Sequence, residues 1–159
     1  AHKDLFQSLE SISDMVLIDT ESRGNASSVQ ILEEADIVVV NIDQDKDAWD
    51  DYFEHYSAML GKSVFLIGQY EKENSFDREC IHRQYHIPKD KMAVIPYNVD
   101  LHIAANEGRM IPFLNRNYLK SSRAENEYFM GEVKRAVIML KENMACLRKP
   151  DMMRRSGKN

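Results

Sequence analysis

The stretch Asp36-Ile-Val-Val-Val-Asn-Ile42 is the longest apolar run in the chain. It has the length of a β-strand and is far too short to span a membrane. Similar runs occur at Met15–Asp19, Ser63–Gly68 and Met92–Pro96. None of them alternates apolar with polar residues, which is typical of strands buried on both faces of a parallel sheet. We therefore expect four such strands, with the second at Ile37–Ile42.

Helical patterns separate these runs. The predicted helices are Asp4–Ile12, Ser27–Ala35, Ala48–Leu60, Ser75–Tyr85, Leu101–Glu107 and Arg123–Arg148. Ser27 or Ser28 is the expected cap of the second helix, and Gly61, Gly108 and Pro150 are expected to end later ones. The repeated alternation predicts an α/β fold, with a mostly parallel sheet flanked by helices on both faces.

The last helix carries its apolar residues at spacings of three and four, which predicts one buried face. These residues are Phe129, Val133, Val137, Leu140, Met144 and Leu147. The chain has 159 residues, so we expect a single domain at 1–149 and a flexible basic tail at 150–159. The basic residues near this end could bind DNA or acidic lipid, but a solvated terminus is the default interpretation.

Composition narrows the functional classes. The formal net charge of −5 gives the domain as a whole no nucleic-acid footprint. No apolar stretch follows Ala1-His-Lys-Asp, so a signal peptide is not expected. Cys80 and Cys146 lie far apart, and reduced thiols in a cytoplasmic protein are the simplest account, although one bridge between them remains open.

Common cofactor motifs are missing from the sequence. Leu60-Gly-Lys-Ser63 is not a phosphate loop, because Tyr56 stands where that loop needs glycine, and a helix precedes it. No GxGxxG motif supports a dinucleotide-dependent oxidoreductase. The acidic run that follows the second strand is best interpreted as a solvated helix N-terminus, and the five histidines lack zinc-binding spacing.

Two segments carry candidate chemistry. Met15–Asp19 ends in an acid that precedes a polar, glycine-containing turn, and ligands of open α/β sheets bind beyond the carboxyl ends of strands. Asp19 could hold a Mg²⁺-bound water beside phosphate oxygens, or it could cap the following segment. Ile95, Pro96, Tyr97 and Asn98 would present backbone groups, a fixed ring and an aromatic face to a flat ligand. The alternative role for Asn98 is a helix cap, which Asp100 could also provide.

Together these segments resemble, in order and along nearly the whole chain, the carboxyl-terminal portion of the ParA/MinD family of partition-type P-loop ATPases. "DMVLIDTESRGN" resembles the strand and switch II region, and "ILEEADIVVVNIDQD" resembles the segment in which Ala-Asp precedes a strand. "VFLIGQY" matches the strand before the adenine side. "IPYNVDLHIAANEGRMIPFL" resembles the family's Ile-Pro, short helix, Gly and Pro, and it is the most specific of these motifs.

The resemblance implies a P-loop NTPase fold that is incomplete here, and a parent ATPase that uses ATP and Mg²⁺ in chromosome or plasmid partitioning or in positioning other cargo. Asp19 would be the catalytic switch II acid near Mg²⁺ and the attacking water. Ile95, Pro96, Tyr97 and Asn98 would border the adenine. Such proteins cycle between a nucleotide-bound dimer and a free monomer, and DNA or a partner protein is a possible ligand of the parent.

Two departures from the family limit what this chain does alone. It contains no Walker A loop, and Gly68-Gln69 stands where the family often has an asparagine that reads adenine. We therefore expect the chain alone neither to hydrolyse ATP nor to bind it tightly. Without the phosphate-loop strand, an exposed strand edge or apolar helix face should cause self-association or be covered by the chain's own termini.

A different class is a non-catalytic α/β interaction module, such as a receiver-like regulatory domain in which Asp19 accepts phosphate. A receiver would also have a lysine after its last strand. No lysine lies near Pro96–Asn98, which argues against this alternative.

Overall fold

The computed structural model describes residues 13–20, 26–120 and 123–155, which belong to two compact units, Ala1–Ala35 and Asp36–Asn159. The second unit contains a parallel sheet of three strands in the order β1-β2-β3. They are β1 (Val38–Ile42), β2 (Ser63–Tyr70) and β3 (Met92–Pro96). The predicted α/β class and three of the predicted strands are therefore confirmed.

Helices alternate with these strands. The first unit contains α1 (Ala26–Glu34), and the second contains α2 (Lys46–His55), α3 (Arg78–Tyr85), α4 (Val99–Asn106), α5 (Met110–Leu119) and α6 (Ala124–Arg155). Short 3₁₀ turns at Ser57–Lys62 and Lys89–Lys91 lead into β2 and β3. No helix in the described parts of the chain has both the length and the apolar character needed to cross a membrane.

Helices cover both faces of the sheet. Neighbouring residues of a strand point to opposite faces. Phe65 of β2 stacks on Trp49 of α2, with ring centroids 5.4 Å apart. Its neighbour Val64 packs instead with Ala136 and Met139 of α6. The α2 face is dominated by aromatic packing around the fully buried Trp49, whose Nε1 donates to the backbone oxygen of Asp43 at 2.9 Å.

Several helix ends follow ordinary capping chemistry. Asp45 caps α2 by accepting a hydrogen bond from Asp47 N at 3.0 Å, which confirms that the acidic run is a helix N-terminus. Asp77 caps α3 through Cys80 N at 2.7 Å. The cap predicted for α1 is wrong, because this helix begins at Ala26 and so contains both Ser27 and Ser28.

The strand predicted at Met15–Asp19 is wrong. Residues 13–20 include no β-strand, and the Leu17 side chain is 87% exposed. The run has the apolar composition of a strand, but a strand also requires hydrogen bonds from a neighbouring backbone. Within the described residues, only β1, β2 and β3 have such partners. The predicted helix at 4–12 lies outside the described residues.

Two helices that contain proline differ from the predicted pattern. The helix α5 was not predicted, and Pro112 lies in its first turn, where the missing N–H has no helical partner in any case. The helix α6 continues past Pro150 to Arg155, so the end predicted at Arg148 is wrong. An internal proline removes one hydrogen bond and can kink a helix without ending it.

The buried face of α6 also differs from the predicted one. Phe129 is buried as expected, but Val137 and Leu147 are 43% and 46% exposed, while Ala136 and Met139 are buried against the sheet. Alanine allows a helix to approach a sheet closely, so the small residue lies at the contact.

Candidate functional site

The carboxyl ends of the three parallel strands lie at one edge of the sheet. Asp43 follows β1, Gly68 and Gln69 lie near the end of β2, and Tyr97 follows β3. Ligands of open α/β sheets bind beyond this edge. The predicted adenine-side segment, Ile95–Asn98, therefore belongs to the expected end of the sheet.

The four residues of that segment have different surroundings. Ile95 packs against both core clusters that contact α6, and Pro96 is buried. Tyr97 is 47% exposed, and its backbone N–H donates to the Tyr70 carbonyl at 3.2 Å. Only Tyr97 among the four offers an aromatic face to a ligand in solution.

Asn98 is committed to internal hydrogen bonds. It is the cap of α4, because its Oδ1 accepts from Leu101 N at 2.7 Å. Its Nδ2 donates to Oδ1 of Asn126 on α6 at 2.9 Å, and both asparagine side chains are buried. The predicted capping role of Asn98 is confirmed, and its amide has little capacity left for a base.

A charged pair extends this network. Asn126 Nδ2 donates to Oδ2 of Asp100 at 2.9 Å, and Arg123 Nη1 contacts both Asp100 carboxylate oxygens at 2.8 Å. The hydrogen bond from Asn126, helped by that from Arg123 and by its charge, holds the pKa of Asp100 below its ordinary value. The network ties the start of α4 to α6, so it fixes the backbone that follows Tyr97.

The end of β2 has an unusual backbone. Gln69 has φ of 44°, a conformation that non-glycine residues seldom adopt, and the β2–β3 register shifts between Ile67 and Tyr70. A Cβ at Gly68 would lie 2.5 Å from Asp43 Oδ1, so the absence of a side chain lets the end of β1 approach. Gln44 joins the two loops, because its Oε1 accepts from Glu71 N at 2.7 Å.

Asp19, the predicted catalytic and metal-binding acid, is exposed and belongs to the first unit. Tyr97 and the rest of the adenine-side segment belong to the second unit, so the assigned role of Asp19 stays a prediction. In the described ranges, no three His, Cys, Asp or Glu side chains are grouped so that they could hold a metal ion. Cys80 and Cys146 are free thiols.

Sequence reasoning missed Asn126 and Arg123, which complete the network around Asn98 and Asp100. A signal for Asn126 existed, because it lies three residues before Phe129 and so shares the buried face of α6. A polar residue on an apolar helix face usually has a specific hydrogen-bond partner.

Comparison of the chain with protein-family models, with curated proteins and with solved structures found no match.

Proposed function

We propose that the chain is the switch II and adenine-side portion of a ParA/MinD-like ATPase that partitions DNA or positions other cargo. This proposal rests on the parallel strand order β1-β2-β3. The Ile95–Asn98 segment belongs to the β3 edge of the sheet, and the opposite edge, at β1, has no further strand among the described residues. A phosphate-binding strand and its helix would occupy that side in the intact fold.

The strand β1 is incompletely covered in two places, along one backbone edge and on one face. Among the described residues it pairs with β2 alone, so one backbone edge has no strand partner. Val38 and Val40 are buried on one face, whereas Val39 on the other is 44% exposed. A strand made almost entirely of β-branched residues is suited to the middle of a sheet rather than to an open edge.

The two flanks of the helix α6 differ in the same way, one being apolar and partly exposed and the other charged. One flank is apolar and incompletely covered, because Val133, Val137 and Leu140 recur at helical spacing and Val137 is 43% exposed. The opposite flank borders the outer edge of β3 with charged residues, including Glu132 and Arg135. The charged flank suits solvent, so the apolar core would extend beyond β1 and not beyond β3.

A second copy of the chain, paired through β1, would cover the open edge of β1 and the apolar flank of α6 incompletely. If two β1 edges paired, their α6 helices would lie roughly four strand spacings, or about 19 Å, apart. Packed helices lie about 8–10 Å apart, so the gap would hold one more helix. We therefore expect weak self-association of the isolated chain, and a stable cover only from an added strand with its helix.

In the intact ATPase, Asp19 would act next to Mg²⁺ and the attacking water, and the exposed face of Tyr97 would border adenine. The buried Asn98 would hold the segment in place without contacting the base. The residues of this chain contain no phosphate loop, so ATP and Mg²⁺ would be held mainly by residues outside it.

Hydrolysis measured in the intact protein tests the proposal. We expect Asp19→Ala to slow ATP turnover by at least about tenfold, a modest loss for a residue that positions reactants. Asp14→Ala is the matched control, because Asp14 is an exposed acid at the other end of the same apolar run. Equal turnover by both variants, or substantial ATPase activity of the isolated chain, would contradict the proposal.

A further inference from the structure

A cleft of about 320 Å³ lies beside β3, and its lining contains neither Tyr97 nor any residue of β1. Its lining includes Tyr70 from the end of β2, Arg78 from the start of α3, and Tyr128 and Arg135 from α6. Val94 of β3 adds an apolar residue to the lining. The volume is at the lower limit for small-molecule sites, and the two phenol rings and Val94 are the apolar surfaces that such sites use.

The acidic residues around this cleft already have partners. Asp77 caps α3 through Cys80 N at 2.7 Å, Glu79 binds Lys89 Nζ at 2.8 Å, and Glu132 is paired with Arg135. Glu79 and Glu132 are therefore paired with cations, and the Asp77 carboxylate is held at the start of α3 by a backbone N–H.

Two cations in the cleft remain poorly neutralised. Lys72 Nζ lies 3.7 Å from the centroid of the Tyr128 ring, and the described residues place no carboxylate within ion-pair distance of it. Among the described residues, the carboxylate oxygen nearest to Arg78 belongs to Glu79, at 4.0 Å. An ammonium on an aromatic face and a guanidinium with a distant partner can both bind an anion.

The strained end of β2 directs a side chain into this region. The bulge at Gln69, with φ of 44°, precedes Tyr70, whose hydroxyl accepts a hydrogen bond from Arg78 N at 3.4 Å. Bulges and strained residues often lie next to binding sites, where they reorient a side chain at some cost in stability. Here the reoriented residue forms one aromatic side of the cleft.

We propose that this cleft binds a small aromatic anion, such as an aryl phosphate, with its charge between Arg78 and the Lys72 ammonium that lies on the Tyr128 ring, and with its own ring against Tyr70 and Val94. A tyrosine hydroxyl is protonated at neutral pH, and burial raises the pKa of Tyr128 further, so this hydroxyl is a hydrogen-bond donor. The site shares none of the residues assigned to ATP and does not depend on the proposed ATPase function.

Titration of the whole chain with phenyl phosphate, followed by NMR of backbone amides, tests this site. We expect saturable shifts centred on Tyr70, Val94 and Tyr128, with a Kd on the order of 1 mM for a ligand of this size. Phenol, which lacks the anion, and inorganic phosphate, which lacks the ring, should each bind at least about fivefold more weakly.

Variants decide which groups hold the anion. Lys72→Met and Arg78→Gln should each weaken phenyl phosphate binding by about five- to tenfold. Lys141→Met is the control, because Lys141 is exposed on α6 and does not line the cleft. Absence of shifts in the cleft, or binding unchanged in both cleft variants, would overturn the proposal. Phenol binding as tightly as phenyl phosphate would equally overturn it.

Discussion

Asn98 and Asn126 form a buried amide pair, with Asn98 Nδ2 donating to Asn126 Oδ1 at 2.9 Å. The two residues are far apart in sequence, one at the start of α4 and the other in the first turns of α6. Through Asp100 the pair is also joined to Arg123. The segment that carries Tyr97 is therefore positioned by hydrogen bonds from a helix that sequence motifs did not associate with it.

We expect Asn126→Ala to lower the free energy of unfolding by about 1–3 kcal/mol, because it leaves the buried amide of Asn98 without its partner. Urea unfolding followed by circular dichroism measures this loss. Asn115→Ala is the control, since Asn115 is exposed on α5 and should change stability by less than about 0.5 kcal/mol. Equal effects of the two substitutions would show that the buried pair contributes nothing.

The ion pair of Asp100 should make stability depend on pH. Its folded pKa is lowered, chiefly by Asn126 and then by Arg123, so its contribution is present above the ordinary carboxyl pKa and is lost as pH falls through the folded value. Asp100→Asn should therefore destabilise the protein at neutral pH, and the difference from the unmodified protein should shrink in acid. Urea midpoints measured from neutral to acid pH test this.

Asp90→Asn serves as the control for that series, because Asp90 is exposed and its carboxylate has no ion pair within the part of the chain that the structure describes. A destabilisation by Asp100→Asn that is the same at every pH would be inconsistent with an electrostatic origin.

Two glycines should respond to alanine with opposite signs. Gly108 follows α4 with φ of 67°, so Gly108→Ala should destabilise the protein by about 1 kcal/mol through backbone strain. Gly131 lies inside α6, where an added Cβ would meet only open space, so Gly131→Ala should stabilise the protein by up to about 1 kcal/mol. Thermal unfolding of both variants is a direct comparison, and a shift of the same sign in each would contradict it.

The open side of β1 should control self-association. Val39→Lys places a charge on the exposed face of the edge strand, so the apparent mass should fall towards that of a monomer. Light scattering over a range of concentrations measures this mass. Ile138→Lys is the control, because Ile138 is 55% exposed on the charged flank of α6. Self-association through β1 is ruled out if the unmodified chain is monomeric at every concentration or if both variants behave alike.

Local sequence was sufficient where an element's environment is evident from its own residues. The strands β1, β2 and β3 were predicted because each is a short, mostly apolar run rich in β-branched residues, and the cap at Asn98 follows from its place after a strand. Met15–Asp19 shows the limit of this reasoning. Its composition is that of a strand, yet whether such a run becomes one depends on a neighbouring backbone elsewhere in the chain.

The candidate site was likewise predicted from the sequence only in part. Patterns in the sequence placed Ile95–Asn98 at the end of a strand and so at the carboxyl edge of a sheet. They could not show that Tyr97 is exposed while the Asn98 amide is hydrogen-bonded to Asn126. The partner of Asn98 depends on where α6 lies on the sheet. The cleft around Lys72 and Arg78 was not predicted, since its members come from separate elements with no common motif.

The amino-acid sequence by itself determined the α/β class, the strand positions in the second unit and the presence of a long carboxyl-terminal helix, because hydrophobic pattern and capping are properties of neighbouring residues. Tertiary structure alone decided which face of α6 is buried, which amides are paired and which cations line the cleft beside β3. Those outcomes depend on packing between distant segments, and the free energy of burial is shared among residues that no local pattern connects.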